Sequence, residues 1–230
     1  MEVSVVIPCL NEADTLESCL RKARQALESY PLEGEIIVAD NDSTDASPVI
    51  ARAMGAIVVQ IRERGYGNAL RAGVAAAHGT YIVMADADDS YDFLEIPRFV
   101  EKLRAGYELV QGCRLPAGGG SVLPGAMPLL HRVGNPIFSW IAHRWLGVSV
   151  HDIHCGMRGF TRSLYADLDL QCQGMEFASE MILKATTQRA KITEIPITLH
   201  PDGRRSHVSH LRTFRDGLRH LQFFLRYRLR

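Results

Sequence analysis

Apolar and polar positions along this chain alternate between two rhythms. Short apolar runs read as strands at residues 2–8, 35–39, 56–61 and 80–85. The segments between them repeat apolar residues at helical spacing. Leu16, Leu20, Ala23 and Leu27 share one face of a first helix, and Asp14 with Glu17 resembles a capping box at its start. Asp45 can cap a second helix carrying Val49, Ile50 and Ala53, and a third helix covers 67–78. Alternation at this pace predicts right-handed βαβ units and a parallel sheet.

Beyond Asp89 the rhythm changes. A helix is expected at 95–104, with Pro97 tolerated in its first turn, then a short strand at 109–112. Residues 116–128 are rich in Gly and Pro and predict a mobile loop of functional length. Helices about 129–146 and 176–189 flank a turn-rich segment at 151–161, and 191–199 predicts a last strand. Residues 211–230 predict a basic amphipathic helix, with Leu211, Phe214, Leu218, Leu221 and Leu225 on one face. It is either an ordinary docked helix or an interfacial one attracted to anionic lipid.

The 230 residues, 47% of them hydrophobic, suit one large α/β domain or a domain with a C-terminal appendage. A net charge of zero gives no polyanion-binding signature and argues against nucleic acid as a partner. That zero hides an asymmetry: from His200 onward eight arginines face two aspartates, so the body is acidic and the tail basic. The five cysteines are scattered without zinc-ribbon spacing, which predicts reduced thiols in a cytosolic compartment. The first strand begins at once, leaving no room for a signal peptide. No apolar run reaches the ~20 residues of a membrane helix. The longest candidate is broken by His143, Arg144 and Gly147.

Chemistry concentrates where strands end. Asp86-Ala87-Asp88-Asp89 follows the fourth strand, where open α/β sheets place their ligands. Asp86 and Asp88 can converge on one hard cation, Mg²⁺ or Mn²⁺, of the kind shared with substrate phosphates. A solvated acidic turn is the alternative. Pro8-Cys9-Leu10-Asn11-Glu12 ends the first strand and Asp40 the second, so a parallel sheet brings three polar clusters to one rim. Asn11 and Asp45 can also serve as helix caps. His207 and His210 lie in an Arg-rich loop without evident partner ligands.

These residues carry a resemblance. Val5–Glu12, Val38–Asp45 and Asp86-Ala87-Asp88, in order and at this spacing, resemble the nucleotide-sugar half of the family 2 inverting glycosyltransferases. Arg64-Gly65-Tyr66-Gly67-Asn68-Ala69-Leu70 and Asp152–Phe160 are similar to motifs of its polyprenyl-phosphate subgroup, which includes dolichol-phosphate mannose synthase. Cys155 and Met157 depart from that subgroup's usual Ser and Phe, while Arg158 stays in place. The resemblance implies a GT-A-type fold, a mostly parallel twisted sheet flanked by helices. It implies a domain over 1–200, with a nucleotide-sugar half at 1–112 and an acceptor half at 113–200. A basic loop and interfacial helix would follow at 201–230.

It also implies roles. Asp40 would accept a hydrogen bond from a ring N–H of the base, with Pro8, Asn11 and Glu12 lining the pocket. Asp88 would bind the metal that bridges the diphosphate, with Asp86 near the ribose or metal. Gly65 and Gly67 would let the backbone approach the nucleotide, or simply form a turn before a helix. A lipid phosphate acceptor is already ionised near neutral pH and needs cations rather than a base. Arg114, Arg158, Arg204 and Arg205 are the candidates, since guanidinium pairs with phosphate bidentately. Asp152 would orient an arginine, or act as general base toward an alcohol. The expected activity is metal-dependent hexosyl transfer from a UDP- or GDP-sugar to a polyprenyl phosphate, on the cytoplasmic face of a membrane. A soluble hydroxyl acceptor and a non-catalytic nucleotide-sugar-binding module are the competing readings. A nucleotidyltransferase lacks support, because no Gly-rich triphosphate loop follows the first strand.

Overall fold

The computed structural model describes residues 1–205. The amphipathic segment 211–230, with His207 and His210, lies outside the described residues. The first half of the chain alternates as its pattern predicts: β1 (Val3–Cys9), α1 (Leu16–Ser29), β2 (Gly34–Asp40), α2 (Ser47–Ala53), β3 (Ile57–Gln60), α3 (Tyr66–Ala75) and β4 (Tyr81–Met84). Then come α4 (Ile96–Arg104), β5 (Leu109–Cys113), β6 (Ser121–Val122), α5 (Leu129–Leu146), β7 (Arg158–Thr161), α6 (Arg162–Leu168), α7 (Phe177–Thr187), β8 (Ile192–Pro196) and β9 (Thr198–Leu199).

Seven strands form one sheet in the order β3-β2-β1-β4-β7-β5-β8. All pairings are parallel except those of β7, which runs antiparallel to both β4 and β5. The central strands read as continuous apolar runs because helices cover both faces. On one face Val3, Val5 and Ile7 pack with Leu16 and Leu20 of α1 and Phe99 of α4. On the other, Val6 packs with Leu70 and Val74 of α3 and Met181 of α7. Since β5 is parallel to β8 and antiparallel to β7, its carboxyl end points the same way as those of β1, β2 and β4. That shared direction defines the rim on which the site is built.

Several local expectations change. The turn-rich segment contains β7, which inserts into the sheet, so the chain on both sides of residue 112 builds one sheet. The Gly/Pro-rich loop is partly ordered, with β6 pairing in parallel with β9 in a second, two-stranded sheet. Asp14 and Glu17 form no capping box: Thr15 stands at the N-cap of α1 without a side-chain bond, and Asp14 accepts the main-chain N–H of Arg205. In α2 the buried face is Ser47, Pro48 and Ala51, while Val49 is exposed. Asp45 does accept the N–H of Ser47 at the start of that helix, and it also accepts that of Ala13. All five cysteines are free.

Candidate active site

The ends of β1, β2 and β4 meet at one rim. Asp40 closes β2 and is buried, and its Oδ1 has no hydrogen-bond partner. A buried carboxylate oxygen without a donor is costly, so this atom calls for an N–H from beyond the described residues. Its neighbour Asn41 is fully engaged: Nδ2 donates to the carbonyls of Ile61 and Glu63, and Oδ1 accepts the N–H of Gly65 at 2.7 Å. Asn41 thereby ties the 61–65 loop beside Asp40.

Asn11 adopts the left-handed region at φ 56°, and its Oδ1 accepts the N–H of Thr44 at 2.8 Å. Its own N–H donates to Ser43. Asn11 therefore clamps the turn after β1 to the turn after β2 rather than capping a helix. Pro8 sits in the β1 ladder opposite Ala39.

Asp86 follows β4. Its Oδ1 accepts the Tyr66 hydroxyl at 2.9 Å. A Cβ on Gly156 would fall 2.4 Å from Asp86 Oδ2, so a larger residue there would have to displace the carboxylate. Burial, then the charge of Asp88, raises the Asp86 pKa. Asp88 Oδ1 accepts both the N–H and the hydroxyl of Ser90, the latter at 2.6 Å. Asp89 turns away at φ 61° and binds Lys22 and Ser18 of α1.

Arg204 lies across this rim. Its Nε donates to Glu12 Oε2 at 2.7 Å and its Nη2 to Glu12 Oε1, a bidentate pair. Its Nη1 reaches Asp202 and, at 3.5 Å, Asp88 Oδ2. Burial opposes its charge, but the Glu12, Asp88 and Asp202 carboxylates outweigh that and raise its pKa. A single guanidinium thus links the end of β1 to the acidic turn after β4. Arg205 is exposed beside it.

Arg114 and Asp152 take a different place. Arg114 Nε and Nη2 bind the two Asp152 oxygens at 2.7 and 2.9 Å, and the Arg114 main-chain N–H donates to Oδ2 as well. Asp152 is fully buried. Burial would raise its pKa, yet Arg114 outweighs burial and holds it below the usual carboxylate range. Arg158 is fully buried among main-chain carbonyls, donating to Cys155 at 2.7 Å and Ala178 at 2.9 Å. Burial lowers its pKa. Neither Arg114 nor Arg158 presents its guanidinium at the rim, and Asp152 is fully committed to Arg114.

Gly65 and Gly67 also serve a different neighbour. A Cβ on Gly65 would lie 2.4 Å from the Gln173 carbonyl, and one on Gly67 would lie 2.2 Å from that of Cys172. The close approach they permit is to residues 172–173, to which Gly67 also donates its N–H. Cys155 Sγ donates weakly to the Met157 carbonyl, and burial raises its thiol pKa to about 12. Tyr91 was not singled out by the sequence, yet its hydroxyl accepts from Gly156 N–H at 2.9 Å and from Arg114. An aromatic two residues past an acidic turn was the available signal.

Among the described residues no three His, Cys, Asp or Glu side chains form a ready-made metal cage. The donor set is two carboxylates, Asp86 and Asp88, both partly exposed at the rim. That fits a hard cation completing its shell with substrate phosphate oxygens.

The glycosyl transferase family 2 model matches residues 4–169. The low-salt glycan biosynthesis hexosyltransferase Agl6 of Haloferax volcanii is 42% identical over 97% of this chain, which spans only 53% of that protein. A dolichyl-phosphate hexose transferase of the same organism is 31% identical, covering 85% of this chain and 82% of the relative. Among solved structures, glucosyl-3-phosphoglycerate synthase from Mycobacterium tuberculosis, in complex with Mn²⁺, UDP and glucosyl-3-phosphoglycerate, superposes with a TM-score of 0.71 at 25% identity. That match covers 98% of this chain and 79% of the synthase. The α/β sheet with its acidic rim, the family match and these relatives agree, and the chain belongs to glycosyl transferase family 2 and is a glycosyltransferase.

Proposed function

We propose that the protein transfers a hexose from a nucleoside diphosphate sugar to a polyprenyl phosphate, with inversion, at the cytoplasmic face of a membrane. The observation that carries the donor half is the rim itself. Asp40 offers a buried oxygen without a partner among the described residues at the end of β2, and Asp86 and Asp88 gather two negative charges past the end of β4, across β1 from it. Asp40 accepts a base N–H. Asp86 and Asp88 would hold Mg²⁺ or Mn²⁺, which would neutralise charge developing on the leaving diphosphate. Tyr66 and Ser90 orient the two carboxylates, and Glu12 holds Arg204 beside Asp88.

The bond from the anomeric carbon to the diphosphate oxygen breaks, and its electron pair leaves on the nucleoside diphosphate. A phosphate oxygen of the acceptor bonds to the opposite face of that carbon. The acceptor is a dianion near neutral pH, so no proton has to be removed. Arg204 and Arg205 supply positive charge at the rim. Arg114 and Arg158 act as positioning residues beneath it. The relative named as a dolichyl-phosphate hexose transferase supports the lipid acceptor. A hydroxyl acceptor would need a general base, and both Asp152 oxygens are taken by Arg114.

The test is a panel of UDP- and GDP-sugars with a polyprenyl phosphate and, separately, soluble alcohols. Nucleotide release and lipid-linked sugar are measured with Mg²⁺, Mn²⁺ and excess chelator. Lipid-linked product that disappears with chelator, and in Asp88→Ala, is expected. Turnover on alcohols alone, or full activity in chelator, refutes the proposal.

A further inference from the structure

α5 presents an apolar face to solvent. Leu129, Leu130, Val133, Ile137 and Trp140 are each at least 51% exposed, with Leu129 at 77%. At 100° per residue these positions fall within one side of the helix. The opposite side, with Ser139 and Ala142 buried, rests on the body of the protein. From Leu129 to Trp140 the stripe is roughly 17 Å long at 1.5 Å per residue. Contiguous exposed apolar surface on a helix marks an interaction site rather than ordinary surface scatter.

The chemistry of the helix selects the partner. Its 18 residues include no Asp or Glu, while Arg132, His143 and Arg144 flank the stripe and are exposed. An apolar stripe flanked by the arginines Arg132 and Arg144 and carrying tryptophan suits the headgroup boundary of an anionic bilayer. Among the described residues no helix is long and apolar enough to cross a membrane, so α5 would lie in the interface. Its position suits this role. On its inner side Ser139 accepts the N–H of Ile153, next to Asp152, whose partner Arg114 directly follows the carboxyl end of β5. We propose that the outward face of α5 docks the protein on anionic membrane and turns the rim toward the lipid. The proposal goes beyond the assignment of donor and acceptor, and its test uses no substrate.

The chain has two tryptophans, Trp140 and Trp145, both on α5, so intrinsic emission reports this helix alone. The full chain is mixed with vesicles of phosphatidylcholine, or of phosphatidylcholine and phosphatidylglycerol in equal parts. The expected result is a blue shift and quenching by brominated acyl chains, with anionic vesicles only. In Val133→Asp/Ile137→Asp, two exposed positions whose change leaves the core intact, vesicle partitioning in sedimentation should fall at least tenfold. Circular dichroism and urea unfolding verify that this variant is folded. Unquenched tryptophans in vesicle-bound wild-type protein overturn the proposal, because the contact would then lie elsewhere, as in residues 206–230. Unchanged partitioning of the double variant does the same. So does a lipid-free, concentration-dependent dimer showing the same blue shift, since a second copy would then cover the stripe.

Discussion

Removing the negative charge of Asp152 tests whether this carboxylate is structural or chemical. Asp152→Asn keeps the shape but leaves the Arg114 guanidinium buried without its counter-ion. Breaking one side of a buried pair costs about 3–5 kcal/mol. With m of about 3 kcal/mol/M, the urea midpoint falls by at least about 1 M. Pairing Asp152→Leu with Arg114→Met should recover part of this loss, because both charges then leave together. Recovery stays incomplete, since the Arg114 main-chain N–H loses its acceptor. The pH dependence has a definite sign. The folded pKa of Asp152 is depressed, so its contribution is complete above its unfolded value of about 4 and is lost as pH falls through the folded one. The wild-type protein should therefore lose stability along that acid limb faster than Asp152→Asn does. Equilibrium unfolding in urea at pH 7 and along a series down to pH 3 measures both effects. An Asp152→Asn variant of wild-type stability, with altered rates on alcohol acceptors, would refute the structural assignment and restore Asp152 as a base.

Other expected outcomes follow from single contacts. Asp40→Ala should weaken nucleoside diphosphate binding about 10- to 150-fold by calorimetry, because a hydrogen bond to a charged group contributes about 1.5–3 kcal/mol; unchanged affinity removes Asp40 from the base pocket. Arg204→Gln should strengthen Mn²⁺ binding to the nucleotide-free protein about tenfold, by paramagnetic resonance, since one competing cation beside Asp88 is gone. Weaker Mn²⁺ binding would show that Arg204 organises the carboxylates instead. Gly67→Ala should lower thermal stability by about 1–3 kcal/mol, because its Cβ would lie 2.2 Å from the Cys172 carbonyl; a neutral result would mean that residues 172–173 yield freely.

The sequence alone determined which segments are strands in the first half and where the polar clusters end them. Apolar runs such as Val5-Val6-Ile7 and Ile82-Val83-Met84 are local signals, and burial on both faces of a sheet leaves them uninterrupted. The rim followed from the same pattern, since parallel strands put Glu12, Asp40 and Asp86 at one edge. Only the tertiary structure decided what those residues touch. β7 is four residues with a glycine at its second position, too short to announce itself, and it becomes a strand because β4 and β5 leave an edge on each side of it. Arg158 on that strand is therefore buried beneath the rim instead of exposed upon it. Arg114 and Asp152 are 38 residues apart, and nothing local tells that they neutralise each other. Gly65 and Gly67 stand in the sequence as a turn or a nucleotide contact, and nothing local tells that a Cβ on either would meet the main chain of residues 172–173, more than a hundred positions on. Local periodicity records backbone state and burial. Which charge meets which depends on long-range packing, and that is written in the chain only jointly.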